Sequence, residues 1–175
     1  MTQSFALAPM SPLIRWLTML LCALPVAFLW AAGQGAQSQP LQVIAILLLV
    51  LYAVVWMWCR PARFDVSVRG IELVFPGRRR RIAAASIEAA EVMTRLTFRD
   101  RFGHAMRVGV GGLWGGFGWL WTSKGWVEFY VSRADRFVLV RRQGHIPLLI
   151  SPEDPEAMVA AIQQQIPRLR ETGRT

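Results

Sequence analysis

The reactive side chains of this 175-residue chain are few: two histidines, two cysteines and 11 carboxylates, and their spacing assembles no reaction centre. His104 and His145 each follow a glycine and stand far apart, with no nearby carboxylate pair or cysteine to complete a metal site or a nucleophile–base pair. They read as turn histidines. Cys22 and Cys59 lie in or beside apolar runs, which supports neither a disulfide framework nor a C-x-x-C metal signature. Gly109 to Gly118 is glycine-rich but lacks the G-K-[ST] end of a phosphate loop, and "SKG" at 123–125 does not supply it. Glu153, Asp154 and Glu156 gather where a helix begins, so capping and the helix dipole account for them. The expectation is a protein without catalytic residues, cofactor or metal.

Binding chemistry has better material. Arg78, Arg79, Arg80 and Arg81 form the densest positive run in a chain of net charge +9. Beside a bilayer each such residue contributes about 1 kcal/mol toward anionic headgroups. The alternative is a solvated turn, and a strand beginning there would aim only half of the four one way. Nucleic acid is a third partner for basic runs in general; a domain tethered beside a membrane instead meets phospholipid, so no nucleic-acid partner is expected. The second feature is "GVGGLWGGFGWLWTSKGW" (109–126), where glycines alternate with Trp114, Phe117, Trp119, Trp121 and Trp126. Two readings stay open. Either these rings pack inward as core, Phe117 and Trp126 being the better candidates, or they form an outward hairpin dipping into the headgroup region, where tryptophan is at home; alternation also permits both at once, with one face inward and one toward lipid. Arg78–Arg81 with Trp114, Trp119 and Trp121 are the candidate lipid or partner contacts.

These residues need elements to hold them, and the chain divides sharply. Leu13 to Ala32 carries one charge, Arg15, and Leu41 to Trp58 carries none. Each is long enough to cross a hydrocarbon core of about 30 Å as a helix. Hydrophobic residues make up 54% of the chain and mean hydropathy is +0.34, which agrees with a membrane protein. Pro25 should kink the first span, and Trp16, Trp30, Trp56 and Trp58 lie near span ends, where aromatic belts form. A cleaved signal peptide ending near "WAAG" is the alternative for the first run. The connector "GQGAQSQP" is uncharged whereas Arg15, Arg60 and Arg63 flank the spans, so the positive-inside bias places both termini in the cytoplasm.

All 11 acidic residues and 17 of the 20 basic ones follow Arg63. "FDVSV" and "IELVF" alternate around a turn at Arg69 and Gly70, putting Phe64, Val66 and Val68 on one face. "PGRRRR" makes a second turn. Ala83 to Met93 is helical by propensity, while Val92, Thr94, Leu96 and Phe98 alternate, so a strand is expected from about Ala89 onward. "WVEFYVS", "RFVLVRR" and "HIPLLIS" read as a three-stranded meander. "SPEDPEAMVAAIQQQIPRL" opens with an S-x-x-D capping pattern at Ser151 and Asp154, and sets Met158, Val159, Ile162, Ile166 and Leu169 on one face, with a break near Pro167. Six or seven strands plugged by one terminal helix give a small barrel. The expected organisation is a two-helix hairpin at 13–58, a domain at 64–170 and a tail at 171–175.

In its order of elements, its glycine–aromatic segment ending at Gly125, the strand after it and "ISPEDPEAM", the chain resembles bacterial pleckstrin-homology-like (PH-like) domain proteins with an N-terminal transmembrane hairpin. The resemblance covers roughly Leu13 to Leu169. It implies a mainly-β, seven-stranded bent barrel capped by a helix, a place in the bacterial inner membrane, and no general catalytic activity. Phosphoinositide-binding members of the wider superfamily carry a long basic loop between the first two strands, where this chain has only Arg69 and Gly70. They also often carry a tryptophan in the terminal helix, and this helix has none. The expected function is a non-enzymatic, membrane-anchored module that binds or scaffolds at the cytoplasmic surface and contacts anionic phospholipid. The alternative is an accessory subunit of a membrane enzyme or transporter, acting through protein contacts.

Overall fold

The structure, a computed structural model, describes residues 2–35 and 38–166. Pro167, Leu169, the tail at 171–175 and part of the 33–40 connector, all assigned a place above, lie outside the described residues. Two helices form the hairpin: α1 (Pro12–Ala32) runs through Pro25, and α2 (Ser38–Val54) continues as a π-helical turn over Val55–Cys59. Both are long and apolar enough to cross a membrane, and only 11% of the most apolar stretch of each is buried. They therefore form no core of the folded domain, and their outward leucines and valines match a transmembrane hairpin. Tyr52 Oη donates to the Leu21 carbonyl at 2.8 Å, so the two helices are joined by a polar contact as well as by packing.

The rest is a β-sandwich of ten strands in two sheets with a C-terminal helix, the PH-like architecture on a helical hairpin. The four-stranded sheet runs β1 (Gln3–Ala6), β2 (Arg63–Ser67), β3 (Gly70–Val74), β4 (Arg79–Ala83) in spatial order. The six-stranded sheet contains β5 (Ile87–Thr94), β6 (Ala105–Gly111), β7 (Gly116–Thr122), β8 (Gly125–Val131), β9 (Arg136–Arg142) and β10 (His145–Ile150), in the order β5-β9-β10-β8-β7-β6. Between the sheets lie Phe64, Val66, Ile71 and Leu73 from one side and Phe117, Tyr130, Val138 and Val140 from the other. Met158, Ile162 and Ile166 of α4 (Pro155–Gln165) close this core, as the spacing of the helix's apolar face requires. A second apolar cluster covers the opposite face of the six-stranded sheet, where Phe98 and Phe102 of α3 (Arg95–Phe102) lie on Phe129, Leu139 and Leu149.

Several expectations change. The first turn is Val68–Arg69, one residue earlier than expected, because Ser67 pairs with Gly70; Val68 is consequently exposed instead of sharing the buried face of Phe64 and Val66. Ala83 to Met93 resolves into the end of β4, a 3-10 turn at Ala84–Ser86, and β5. The strand stops at Thr94, whose hydroxyl accepts from the Thr97 amide and starts α3 in place of the expected strand through Phe98. Phe98 and Phe102 then meet at i, i+4 with rings 4.7 Å apart. The three strands after Gly125 form no meander: β10 inserts between β8 and β9 and pairs with β8 in parallel. Asp154, not Ser151, caps α4 through the Ala157 amide, and Ser151 is buried with its hydroxyl accepting from the Ser132 amide.

The segment before α1 has its own place. β1 pairs antiparallel with β2, then Ala8 donates to the Ser151 carbonyl and Ser11 to the Ser132 carbonyl. The strand thus extends the four-stranded sheet, and the residues after it bond to the ends of two strands of the other sheet before the chain enters α1.

Candidate functional site

Besides the passage of the chain from β1 into α1, three contacts among the described residues hold the domain against the hairpin. The chain itself passes from the π-helical turn into β2. The β3–β4 turn closes with a Phe75 amide bond to the Arg78 carbonyl, and its Gly77 amide donates to the Met57 carbonyl at 3.0 Å. The third is the tip of the β6–β7 hairpin, Gly112 to Gly115, which reaches the second turn of α1. There Thr18 accepts from the Trp114 amide at 3.0 Å and donates to the Gly112 carbonyl at 2.9 Å. One hydroxyl thus satisfies two backbone groups of the hairpin tip that would otherwise lack these partners. Gly112 is required by close approach as well as by its φ of +93°, since a Cβ would stand 2.4 Å from Leu17 Cδ2.

The arginine run divides as strand alternation dictates. Arg80 points inward and forms a two-point ion pair with Glu128, its Nη2 donating to Oε2 at 3.0 Å and its Nη1 to Oε1. The same carboxylate accepts from Arg142 Nη2 at 3.0 Å and from Tyr130 Oη at 3.0 Å. Burial by itself would raise the Glu128 carboxyl, but the Arg80, Tyr130 and Arg142 donors together hold it below its ordinary value. Burial and the Glu128 charge push the Tyr130 phenol up. Arg80 therefore joins the two sheets. Arg78 sits where the second apolar helix ends, its Nε donating to the Trp58 carbonyl at 3.1 Å and its guanidinium 4.6 Å above the Phe75 ring. Arg79 and Arg81 face solvent; Arg81 is 3.9 Å from Glu72, and the Arg79 guanidinium has no partner among the described residues.

The tryptophans also separate. Trp114, at φ +58° in the hairpin tip, packs edge-on against Trp56 at 4.9 Å and Tyr52 at 6.3 Å, both on the second apolar helix. Phe117 is core, as one of the two readings had it, but Trp126 is 45% exposed and is not. Trp119, Trp121 and Trp126 lie in register on β7 and β8 with Glu128, on the inward-facing side of the sheet, at the end that the four-stranded sheet leaves uncovered. Val108 and Met106, opposite Trp119 and Trp121, extend this exposed strip. His104 and His145 are exposed and distant in the fold from any cluster of ligands; no group of three or more His, Cys, Asp or Glu residues gathers among the described residues.

Sequence reasoning did not find Thr18, because a lone threonine in an apolar span carries no signal of what it bonds. Glu128 looked like one polar position of an alternating strand, and its two arginines come from elements remote in sequence, Arg80 from β4 of the other sheet and Arg142 from β9.

A two-sheet sandwich closed by a C-terminal helix, carried on two helices long and apolar enough to cross a membrane, defines a PH-like module. A family model for the bacterial PH domain matches residues 63–166, more than half of the chain, and the chain belongs to that family. No curated protein and no solved structure matches it.

Proposed function

We propose that the protein is a non-enzymatic module anchored in the bacterial inner membrane by α1 and α2, with both termini cytoplasmic, whose PH-like domain binds or scaffolds at the membrane surface and contacts anionic headgroups. The observation that carries this reading is the fastening of the domain to the hairpin at the β3–β4 turn and the β6–β7 tip. This leaves Arg78 at the end of the second span and Arg79 and Arg81 on the outward face of β4. Pairing of β1 with β2 supports the topology, because the residues before the first span must lie on the same side as the domain. The family favours binding over catalysis, since PH domains are generally non-catalytic.

The test uses the full chain in nanodiscs of phosphatidylcholine, with and without phosphatidylglycerol. Anionic lipid should slow amide exchange over residues 75–83, and the effect should shrink in salt, because exposed charges beyond a Debye length of about 8 Å at physiological ionic strength are screened. Serine at Arg78, Arg79 and Arg81 should remove it. Identical exchange in both lipids would eliminate headgroup contact by this run. The accessory-subunit reading would then gain, and it has an observation of its own: the exposed strip of Met106, Val108, Trp119, Trp121 and Trp126 resembles a protein-binding patch. Crosslinking from these positions in native membranes would reveal such a partner.

A further inference from the structure

The outer face of the six-stranded sheet is only partly covered. α3 lies over one part of it and the first turns of α1 pass over another, and between them is a cleft of about 790 Å³. That volume falls within the range of about 300–1,000 Å³ typical of small-ligand sites. Its floor is Leu120, Phe129 and Leu149, one wall is Phe98 of α3, and the other is Leu13 and Leu17 of α1. The rim has a different character. Arg95, Arg99, Arg107 and Arg133 line it, and no Asp or Glu does. Arg133 is occupied by Asp135 at 3.0 Å, whereas the other three have no carboxylate partner among the described residues. The Arg107 guanidinium stands 5.6 Å above the Phe129 ring, where charge and apolar floor meet.

Two facts specify the occupant. Three guanidiniums without carboxylate partners along one cleft call for an anion with several acceptor oxygens, and phosphate suits their planar donors. An apolar floor is of no use to a free phosphate, and Leu13 and Leu17 belong both to the cleft and to the exposed apolar surface of α1. The cleft is therefore continuous with the surface that the anchored reading places in lipid. We propose that it binds one anionic phospholipid, admitting an acyl chain between α1 and the sheet while Arg95, Arg99 and Arg107 hold the phosphate. This rests on the membrane-anchored reading above, and it uses none of the arginines at 78–81.

The experiment is native mass spectrometry of the full chain in neutral detergent, with dioleoylphosphatidylglycerol or dioleoylphosphatidylcholine added. One phosphatidylglycerol should be retained per chain in clear preference to phosphatidylcholine. Arg95→Ser, Arg99→Ser and Arg107→Ser combined should weaken retention by about a hundredfold, on the order of fivefold for each basic residue facing anionic lipid. Ala105→Trp, at an exposed position lining the cleft, should block retention without changing any charge. Glycerol 3-phosphate should not compete; full displacement by it would make this a free-phosphate site and overturn the acyl assignment. Retention unaffected by either variant places the lipid elsewhere and refutes the proposal, as does absence of retained lipid. Resistance to alkaline extraction is scored in parallel on the membranes before purification. A chain that stays in the membrane yet retains no phosphatidylglycerol overturns this site alone, while a chain released by alkali overturns the anchoring as well.

Discussion

Glu128 is buried with two arginines and a tyrosine on it, and its removal would leave two guanidiniums facing each other without a counter-charge. Glu128→Gln should therefore lower stability by about 3 kcal/mol, the lower end for breaking a buried pair from one side. Thermal unfolding of the full chain in detergent measures it. The acid side has a definite sign. Because the folded carboxyl lies below its ordinary value, its stabilising contribution is complete above the unfolded value of about 4.3 and is lost as pH falls through the lower folded value. Wild-type protein should lose stability below about pH 4.3 more steeply than Glu128→Gln, which has nothing left to protonate there. Thr18→Val is the second test at this scale. Nearly the same volume remains, but the Trp114 amide and Gly112 carbonyl lose their partner, which should cost about 1–3 kcal/mol. Faster amide exchange at Gly112 to Gly115, with the sandwich core unchanged, is the expected signature.

At the scale of elements, α4 has the clearest role. Ile162 is fully buried between the sheets beside Met158 and Ile166, so Ile162→Ala should cost about 2–4 kcal/mol and Ile162→Asp more. Unchanged unfolding of both variants would mean that α4 closes no core. The hairpin β6–β7 depends on backbone rather than side chains: Gly109 and Gly118 face each other across the ladder at φ +139° and +134°, where a Cβ on Gly109 would lie 2.3 Å from the Phe117 carbonyl oxygen. This close approach explains why so apolar a segment is also so rich in glycine. α3 shows how a local pattern can mislead. Val92, Thr94, Leu96 and Phe98 alternate, yet the Thr94 cap, Phe98 and Phe102 four apart, and Gly103 at φ +69° beyond the end are helix signals, and the second apolar cluster rewards the helix by burying both rings.

For the whole molecule, the decisive prediction is topological. A reporter fused after Thr175 should behave as cytoplasmic, as the positive-inside bias of Arg15, Arg60 and Arg63 requires, and the N-terminus should remain uncleaved, since β1 pairs with β2 and so lies on the same side of the hairpin as the domain. Periplasmic activity, or a mature chain starting near Gly33, would overturn the arrangement. For the same reason, deleting the residues before α1 should destabilise a domain to which they look irrelevant in sequence. The sequence by itself determined the two apolar helices, the alternating strands after them, the turn at Pro76–Gly77 and the buried face of the last helix. These follow from the composition and period of contiguous residues, which act over distances of one turn or one strand. Tertiary structure alone decided that Arg80 belongs to Glu128 rather than to solvent, that Trp114 meets Tyr52 and Trp56, that β10 lies between β8 and β9, and that Thr18 holds a loop 94 residues away. The physical reason is that period fixes which face a residue occupies, while the partner opposite that face is set by how separate elements jointly bury their apolar surfaces and satisfy their remaining polar groups.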